Sequence, residues 1–320
     1  MDYLMPRLEF NHRPVLLWES IDALDIKPDG IYADCTAGGG GHSFEIVKRI
    51  SSGHLFCIDQ DEEAIEAVKK RLASFEDRYT LIRANFSEAE QIFKNISLDG
   101  ALMDIGVSSH QIDDPRRGFS YMQDAPLDMR MDKDKSFTAA DIVNGYEETR
   151  LADILKRWGE EKYSRRIAAA IVNQRQIKPI TRTLELVEII ESAVPRNYRL
   201  SGGHPAKRSF QALRIEVNHE IEILTPTVEA LVDRLAVGGR IAVITFHSLE
   251  DREIKQAFNG LSKGCVCPSD FPVCVCGRKP KIKVFKPVVP GEIELQDNPR
   301  AHSARLRYAE KLPGPYENAD

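Results

Sequence analysis

Residues 33–43 read "ADCTAGGGGHS", with four consecutive glycines between an acidic residue and a histidine. Glycine has no side chain to pack and loses more backbone entropy on folding than any other residue, so a run of four is hard to explain as filler. In an open α/β sheet, a glycine-rich turn after the first strand lets a ligand lie against bare backbone. The run therefore predicts a ligand site at the end of a first strand.

The residues around the glycine run alternate between strand-like and helix-like patterns. Apolar residues recur at helical spacing from Ile65 to Phe75. On both sides of that helix, short β-rich runs end in polar or glycine residues: "GIYADC" (30–35), "HLFCID" (54–59), "YTLIRA" (79–84) and "DGALMDIG" (99–106). This alternation is typical of a parallel sheet with crossover helices and predicts an α/β fold.

The strand pattern stops after Gly106 and returns at "GGRIAVITFHS" (238–248), with final strands expected in "KVFKPVV" and "SARLRYAEK". About one hundred residues in between show loop signals and short amphipathic helices, and no convincing strand. We expect two domains. A discontinuous cofactor-binding core comprises residues 1–109 and 211–320, and a helical substrate-recognition insertion comprises residues 110–210.

The composition excludes several classes of protein. Of the 320 residues, 42% are hydrophobic and 29% are charged, and no apolar run approaches the roughly 20 residues that span a bilayer. We also see no secretory signal, so we expect a cytoplasmic protein. The net charge of −5 argues against a general polyanion binder. Basic segments at 156–175 and 278–286 are either local nucleic-acid contacts or merely solvated faces.

Acidic residues at the strand ends narrow the choice of cofactor. Asp59 closes the second strand, where a carboxylate binds both hydroxyls of a ribose, as in a nicotinamide dinucleotide or S-adenosylmethionine. Asp34 places a negative charge where the α-ammonium or sulfonium of S-adenosylmethionine would lie, and the glycine spacing differs from the dinucleotide fingerprint. Phe86 follows the third strand, suitably placed for adenine, and Asp104 ends the fourth. Taken singly, these acids could be turn caps, and Phe86 a core residue.

Longer motifs carry a resemblance to a known family over most of the chain. They are "HRPVLLWESIDAL" (12–24), "DCTAGGGGHS" (34–43), "IDQDEEAI" (58–65), "LMDIGVSSHQIDDPRRGFSY" (102–121), "PLDMRMD" (126–132), "EEKYSRRIAAAIV" (160–172), "HPAKRSFQALRIEVN" (204–218) and "GGRIAVITFHSLEDR" (238–252). Together they resemble the bacterial 16S ribosomal RNA cytosine-N4 methyltransferase family, the MraW or RsmH group. The resemblance implies a Rossmann-like class I methyltransferase sheet with an inserted helical domain. It also implies methyl transfer from S-adenosylmethionine to the exocyclic N4 of a specific cytosine in 16S rRNA.

The resemblance also implies roles for individual residues. It places Gly40, Gly41 and His42 against the cofactor, Asp59 on its ribose and Phe86 beside adenine, with Asp104 and Gln111 completing the pocket. The N4 amino group shares its lone pair with the cytosine ring, so acceptors must bind its protons before it becomes nucleophilic.

Two residues are candidates for that catalytic role. Asp104 is the first, unless the cofactor occupies it, and His247 is the second, with a purely structural role as its alternative. "DIGVSS" stands where many amino-methyltransferases carry D-P-P-Y, so an aromatic platform for the base is expected elsewhere, at Phe119, Tyr121 or Trp158.

The expected partner is 16S rRNA or the small ribosomal subunit, and the sequence leaves homodimer formation open. Two alternatives remain at this point. One is a non-catalytic RNA-binding or assembly protein that has kept the pocket. The other is a nicotinamide-dependent oxidoreductase, which the glycine spacing disfavours.

Six cysteines fall into two groups. Cys35 and Cys57 lie singly in apolar runs and are expected as small buried residues. The other four form "CVCPSDFPVCVC" (265–276). In a chain without a secretory signal, two C-x-C pairs favour a metal site over disulfides. Structural zinc usually uses C-x₂₋₄-C, however, so a metal-free, redox-sensitive loop remains the alternative.

Overall fold

The computed structural model describes residues 14–200, 203–265, 267, 273 and 275–314. These residues form two compact units. The described residues of 107–220 make up one, which we call the helical unit, and those of 11–106 and 221–320 make up the other, the sheet unit. The functional domain limits that the sequence suggests, with an insertion at 110–210, stay a prediction. In the described part of the chain, no helix is both long enough and apolar enough to cross a membrane.

A seven-stranded sheet forms the centre of the sheet unit. Its strands are β1 (Ile31–Asp34), β2 (His54–Asp59), β3 (Tyr79–Arg83), β4 (Leu98–Asp104), β5 (Leu235–Thr245), β6 (Ile282–Val284) and β7 (Arg305–Lys311). The order is β3-β2-β1-β4-β5-β7-β6. The first five strands in this order are parallel, whereas β7 runs antiparallel to both β5 and β6. The predicted Rossmann-like α/β fold is confirmed, including the return of the sheet after the insertion.

Helices flank the sheet and make up most of the helical unit. The first four belong to the sheet unit, the next seven to the helical unit and the last three again to the sheet unit. In chain order they are α1 (Leu17–Leu24), α2 (Gly41–Val47), α3 (Glu62–Arg71), α4 (Ala89–Ile92), α5 (Ser109–Asp113), α6 (Ala139–Gly145), α7 (Glu148–Arg157), α8 (Ser164–Ile177), α9 (Thr183–Ala193), α10 (Arg196–Leu200), α11 (Lys207–Asn218), α12 (Leu224–Arg234), α13 (Ser248–Ser262) and α14 (Glu292–Asp297).

Helix α3 forms where apolar spacing and charge order agree. Asp61 caps it by accepting a hydrogen bond from the backbone N–H of Glu63 at 3.1 Å. Its first turn is acidic and its last turn basic, the order that the helix dipole favours. The helix predicted between the second and third strands is therefore confirmed.

Two helix starts use other caps than the serines of "SEAE" (87–90) and "SLED" (248–251), whose spacing is typical of a capping box. Asn85 caps the short 3₁₀ turn Phe86–Glu88 that leads into α4, and Glu88 closes the capping box. His247 caps α13, with Glu250 in the closing position. In both places the cap is an extended residue that comes just after the strand, so the helix begins earlier than the Ser-based pattern predicts.

The helical spacing of apolar residues between 210 and 235 is divided between two helices. Helix α11 ends at Asn218, and His219 adopts a left-handed conformation with φ 54°. Helix α12 begins at Leu224, so Pro226 lies in its first turn. A proline there loses no hydrogen bond that the helix would make, so it is accommodated without a kink.

Tyr32 of β1 fixes the packing at the centre of the sheet. Its ring is buried, and its hydroxyl accepts a hydrogen bond from the backbone N–H of Lys27 at 2.6 Å. A Cβ on Gly100 of the neighbouring strand β4 would lie 2.9 Å from this ring, so only glycine fits at that position. Burial raises the pKa of the Tyr32 hydroxyl.

In the helical unit, buried polar groups hold the loop around "PLDMRMD". Asn218 donates to the carbonyl of Met129 at 2.8 Å and accepts from the N–H of Met131 at 2.8 Å. The Arg117 guanidinium donates to the carbonyls of Arg130 and Met131 at 3.0 and 2.9 Å. These bonds hold Met129 at φ 63°, a left-handed conformation that a methionine rarely adopts.

We predict that Asn218→Ala destabilises the protein by about 2 to 4 kcal/mol, because it leaves buried backbone groups of Met129 and Met131 without partners. Chemical denaturation followed by circular dichroism measures this loss. Asn173→Ala, on the exposed face of α8, is the matched control and should change the free energy of unfolding by less than about 0.5 kcal/mol. Equal stabilities of the two variants would contradict the role given to Asn218.

Candidate functional site

Three aspartates lie at the carboxyl ends of adjacent parallel strands. Asp34 ends β1, Asp59 ends β2 and Asp104 ends β4. Strand β1 pairs with both β2 and β4, so the three side chains emerge at one edge of the sheet. This is the edge where ligands bind in open α/β sheets.

Asp34 anchors the glycine turn to β1. It is 1% exposed, and its carboxylate accepts hydrogen bonds from the Ser43 hydroxyl at 2.6 Å and the Thr36 backbone N–H at 3.3 Å. Burial raises its pKa to about 6, although both hydrogen bonds act in the opposite direction. Near neutral pH the ionised form of this carboxyl group is therefore less stable than it would be in water, and a nearby cation would stabilise it.

Asp59 connects β2 to the glycine turn and to α3. One carboxylate oxygen accepts the backbone N–H of Gly38 at 2.8 Å, and the other accepts that of Asp61 at 2.9 Å. Burial raises its pKa to about 6. A carboxylate oxygen can accept more than one hydrogen bond, and the side chain is only half-buried, so Asp59 can still bind a ligand diol.

Asp104 is the least compensated of the three aspartates. Its backbone N–H donates to the Thr36 hydroxyl at 2.6 Å, which joins the end of β4 to the turn after β1. Its Oδ1 atom is buried and has no hydrogen-bond partner among the described residues. Burial, followed by the charges of Asp34 and Glu250, raises its pKa well above the usual range. A carboxyl group in this state fits a site for a cationic ligand.

His42, in the first turn of α2, lies beside Asp104 but does not neutralise it. The distance from His42 Nδ1 to Asp104 Oδ2 is 3.8 Å. Burial lowers the pKa of His42 to about 4, so the imidazole is neutral near pH 7. Its Nε2 atom is buried and makes no hydrogen bond within the described part of the chain.

The glycines of the run meet different demands. A Cβ on Gly41 would lie 2.1 Å from the Pro14 side chain, and Gly40, at φ 73°, has Arg71 and Val68 within 3.4 Å of its Cβ position. Gly38, at φ 50°, has only the Thr36 carbonyl near its Cβ position, at 3.8 Å. Packing within the protein therefore requires glycine at 40 and 41, and a ligand explains only part of the run.

Phe86 begins the 3₁₀ turn after β3 and is half-buried. Asn85, directly before it, donates to the Gln60 side chain at 2.8 Å and so joins the ends of β3 and β2. Since Asp59 ends β2, the aromatic ring and the predicted ribose-binding carboxylate lie at neighbouring strand ends.

His247 follows β5 and caps α13 through Glu250. Its Nδ1 atom accepts from the Glu250 backbone N–H at 3.4 Å, and its Nε2 atom lies 2.8 Å from the Glu250 carboxylate. The other oxygen of that carboxylate accepts the N–H groups of Phe246 and His247 at 2.7 and 3.2 Å. The Nδ1 hydrogen bond and the short distance from Nε2 to the carboxylate place the His247 ring against Glu250.

Glu250 is the residue that the sequence interpretation missed. It is 1% exposed, and its charge contributes to the raised pKa of Asp104. The signal in the sequence is an acid three residues after the strand-ending histidine. That spacing predicts a helix cap, and only the pairing of β4 with β5 shows that the same acid acts on Asp104.

The remaining candidates belong to the helical unit, and their ligand roles stay predictions. Gln111 is buried in α5, and its side-chain oxygen accepts the Ser108 N–H at 3.0 Å. Trp158 lies in the core and donates to Glu216 at 2.9 Å. Phe119 is buried, whereas Tyr121 is half-buried and stacks on His204 with ring centroids 4.6 Å apart.

The raised pKa of Asp34 predicts how stability depends on pH. The folded state takes up a proton near pH 6 and the unfolded chain only near pH 3.8, so the stability contribution of Asp34 increases as the pH falls through 6. Asp34→Asn removes this titration. The difference in unfolding free energy, wild type minus variant, should increase by about 1 to 1.5 kcal/mol between pH 8 and pH 5. Denaturation of both ligand-free proteins across this range measures it, and a constant difference would contradict the assignment.

Comparisons with known proteins agree over nearly the whole chain. Three relatives carry the name ribosomal RNA small subunit methyltransferase H. Those from Clostridioides difficile (strain 630) and Finegoldia magna are each 50% identical to this chain over 311 residues, and the one from Clostridium botulinum (strain Loch Maree) is 51% identical over the same length. Each match covers 95% of this chain and all of the relative. A solved rRNA methylase from Streptococcus thermophilus has a TM-score of 0.44 at 12% identity, covering 94% of this chain and 98% of that one. Residues 9–312 match the MraW methylase family. The chain therefore belongs to the MraW methylase family.

Proposed function

We propose that this chain transfers a methyl group from S-adenosylmethionine to the exocyclic N4 of a specific cytosine in 16S rRNA of the small ribosomal subunit. Relatives of half-identical sequence carry the name ribosomal RNA small subunit methyltransferase H. The structural observation that supports the proposal is the meeting of Asp34, Asp59 and Asp104 at one sheet edge, each with a raised pKa. A cofactor with an α-ammonium and a sulfonium would give these carboxylates the positively charged partner that the site does not provide.

The three carboxylates differ in how they would meet the cofactor. Asp59 binds the ribose hydroxyls, with Phe86 on the adenine. Asp104, whose side chain is 25% exposed, faces the cationic part. Asp34 is too buried for direct contact, so it acts through its charge and by holding Ser43 and the glycine turn. The neutral His42 lies beside Asp104 without supplying positive charge.

The same carboxylates disfavour a nicotinamide dinucleotide. Its pyrophosphate would lie at the glycine turn, close to Asp34 and Asp59, and like charges in a partly desolvated site repel strongly. S-adenosylmethionine has no phosphate and avoids this repulsion.

Methyl transfer at this site is an in-line displacement. The N4 nitrogen forms a bond to the methyl carbon, the carbon–sulfur bond breaks with its electron pair going to sulfur, and N4 loses one proton to an acceptor. Asp104 is the proposed acceptor. Burial and the charges of Asp34 and Glu250 make it a stronger base than an ordinary aspartate.

His247 is proposed as a positioning residue. Its Nδ1 atom accepts the Glu250 backbone N–H and its Nε2 atom lies 2.8 Å from the Glu250 carboxylate, so the ring helps to hold that side chain in place. Glu250 in turn raises the pKa of Asp104. His247 thus acts on the reaction through Glu250 and Asp104.

The helical unit offers an anionic substrate two basic helix starts. Arg165 and Arg166 lie in the first turn of α8, and Lys207 and Arg208 begin α11; all four are exposed. The positive end of the helix dipole makes basic side chains unfavourable there. Arg208 also donates to the carbonyl of Glu160, next to the start of α8. RNA phosphates would compensate both the dipoles and the side chains.

Incubation with radiolabelled S-adenosylmethionine and small ribosomal subunits that lack the modification tests the proposal. We expect the label in N4-methylcytidine after the RNA is digested to nucleosides. Label in a different nucleoside would contradict the proposed acceptor atom. Cofactor binding without any incorporation would instead support a protein that reads RNA without modifying it.

Variants separate binding from chemistry. We expect Asp59→Asn to weaken S-adenosylmethionine binding about 10-fold to 100-fold in calorimetry, because the ribose loses a charged acceptor.

Asp104→Asn and His247→Asn should slow methyl transfer at saturating cofactor by about 10-fold or more, and the asparagine at 247 preserves an N-cap. Asp29→Asn, an exposed site, is the control and should match the wild type in both assays. Unchanged turnover in the variants at 104 and 247 would remove both from the mechanism.

A further inference from the structure

The described residues that follow α13 lie close to those that precede β6. The carbonyl of Leu261, near the end of α13, accepts the backbone N–H of Lys281 at 2.8 Å, and Arg278 donates to the carbonyl of Gly260 at 2.7 Å. A Cβ on Gly264 would lie 3.3 Å from the Pro280 ring, so the outgoing and returning chains are close together. The two ends of the segment therefore lie side by side.

Cysteines occupy both ends of this loop. The Sγ atoms of Cys265, Cys267 and Cys276 all lie within 4.8 Å of one another, and those of Cys265 and Cys276 are 3.8 Å apart. Gly277, at φ 60°, turns the chain directly after Cys276 towards the base of the loop. The cluster thus joins a C-x-C pair to a cysteine 11 residues away in sequence, which compensates for the poor chelation expected of C-x-C alone.

The separation of the sulfurs fits a metal better than a disulfide. Two thiolates bound to one zinc at about 2.3 Å in tetrahedral geometry stand about 3.8 Å apart. Bonded sulfurs stand about 2.05 Å apart, and none of the three cysteines is in a disulfide. Cysteine is usually among the most buried residues, yet Cys265 and Cys276 are exposed, so core packing does not explain the cluster.

We propose that Cys265, Cys267 and Cys276 bind one Zn²⁺ ion as thiolates and that the ion fixes this loop. The site is separate from the strand-end carboxylates, and the proposal does not depend on the proposed methyl transfer. Three protein ligands leave the fourth tetrahedral position to another donor. Cys274 lies outside the described residues, and the proposal assigns it no role.

The surroundings favour zinc held by thiolates. Lys263, Arg278 and Lys279 are exposed and border the cysteines in sequence. Three thiolates around Zn²⁺ carry a net charge of −1, which these side chains offset. Thiolates are soft ligands that select zinc over Mg²⁺ or Ca²⁺, whose preferred ligands are oxygen atoms.

Metal analysis of the full chain tests the proposal without an activity assay. The protein is stripped with a chelator under reducing conditions and dialysed against Zn²⁺ or, in parallel, Co²⁺. We expect about one equivalent of zinc per chain. With cobalt we expect thiolate-to-metal charge-transfer absorption in the near ultraviolet and visible bands of tetrahedral Co²⁺.

The variants are Cys265→Ser and Cys276→Ser, and Val275→Ser is the matched control because Val275 is an exposed neighbour without a ligand atom. Each cysteine variant should lower the bound metal at least tenfold and remove the cobalt charge-transfer absorption, whereas the control keeps about one equivalent. Circular dichroism checks that the variants are folded. The cobalt spectrum of the wild type tests the site even if a variant does not fold. Less than about one tenth of an equivalent in the reduced wild type, or full binding in both cysteine variants, would overturn the proposal. So would a 265–276 disulfide that forms equally fast in the presence of zinc.

Discussion

The constraint on which the site depends is the desolvation of carboxylates at the end of a parallel sheet. The Asp34 and Asp59 carboxylates accept hydrogen bonds from backbone N–H groups and from the Ser43 hydroxyl, whereas Asp104 is tied to Thr36 only through its backbone N–H. Those hydrogen bonds fix the side chains but do not offset burial, and the pKa of each group remains raised. The neutral His42 does not supply the missing positive charge. The ligand-free protein therefore holds three carboxylates whose ionisation a cationic cofactor would favour.

This arrangement links the cofactor to the chemistry. A carboxylate that is easily protonated in the empty site becomes charged when the cofactor brings its sulfonium. It also remains a stronger base than an ordinary aspartate, because Asp34 and Glu250 keep acting on it. Asp104 would in this way serve binding first and proton transfer afterwards. Thr36 keeps it in place through a hydrogen bond between the ends of adjacent strands.

Most of the sheet, and the aspartates at its strand ends, can be predicted from the sequence because the patterns that mark them are local. The first four strands are predicted to within two residues, and polar residues at strand ends mark Asp34, Asp59 and Asp104. Features that depend on contacts between distant parts of the chain cannot be predicted in this way. The contact of Gly41 with Pro14 and the influence of Glu250 on Asp104 both require the folded structure. The burial that keeps His42 neutral is likewise a property of the fold.

The helical unit shows the same limit more strongly. Its "PLDMRMD" segment gives only loop signals, because its order comes from Asn218, nearly ninety residues further along the chain. The hydrogen bond from the buried Trp158 indole to Glu216, 58 residues further along the chain, is a second example. Hydrogen bonds between residues so far apart in sequence leave no periodic pattern that would predict them.

The central claim is that this site is built for a positively charged cofactor, and competitive binding across pH tests it most directly. S-adenosylmethionine and S-adenosylhomocysteine differ by a methyl group and by the sulfonium charge. Calorimetry with both ligands from pH 5 to pH 8 gives the ratio of their affinities. The account predicts that the preference for S-adenosylmethionine increases about tenfold over this range, because carboxylates with a pKa near 6 must ionise to compensate the sulfonium. A ratio that stays constant with pH would contradict it.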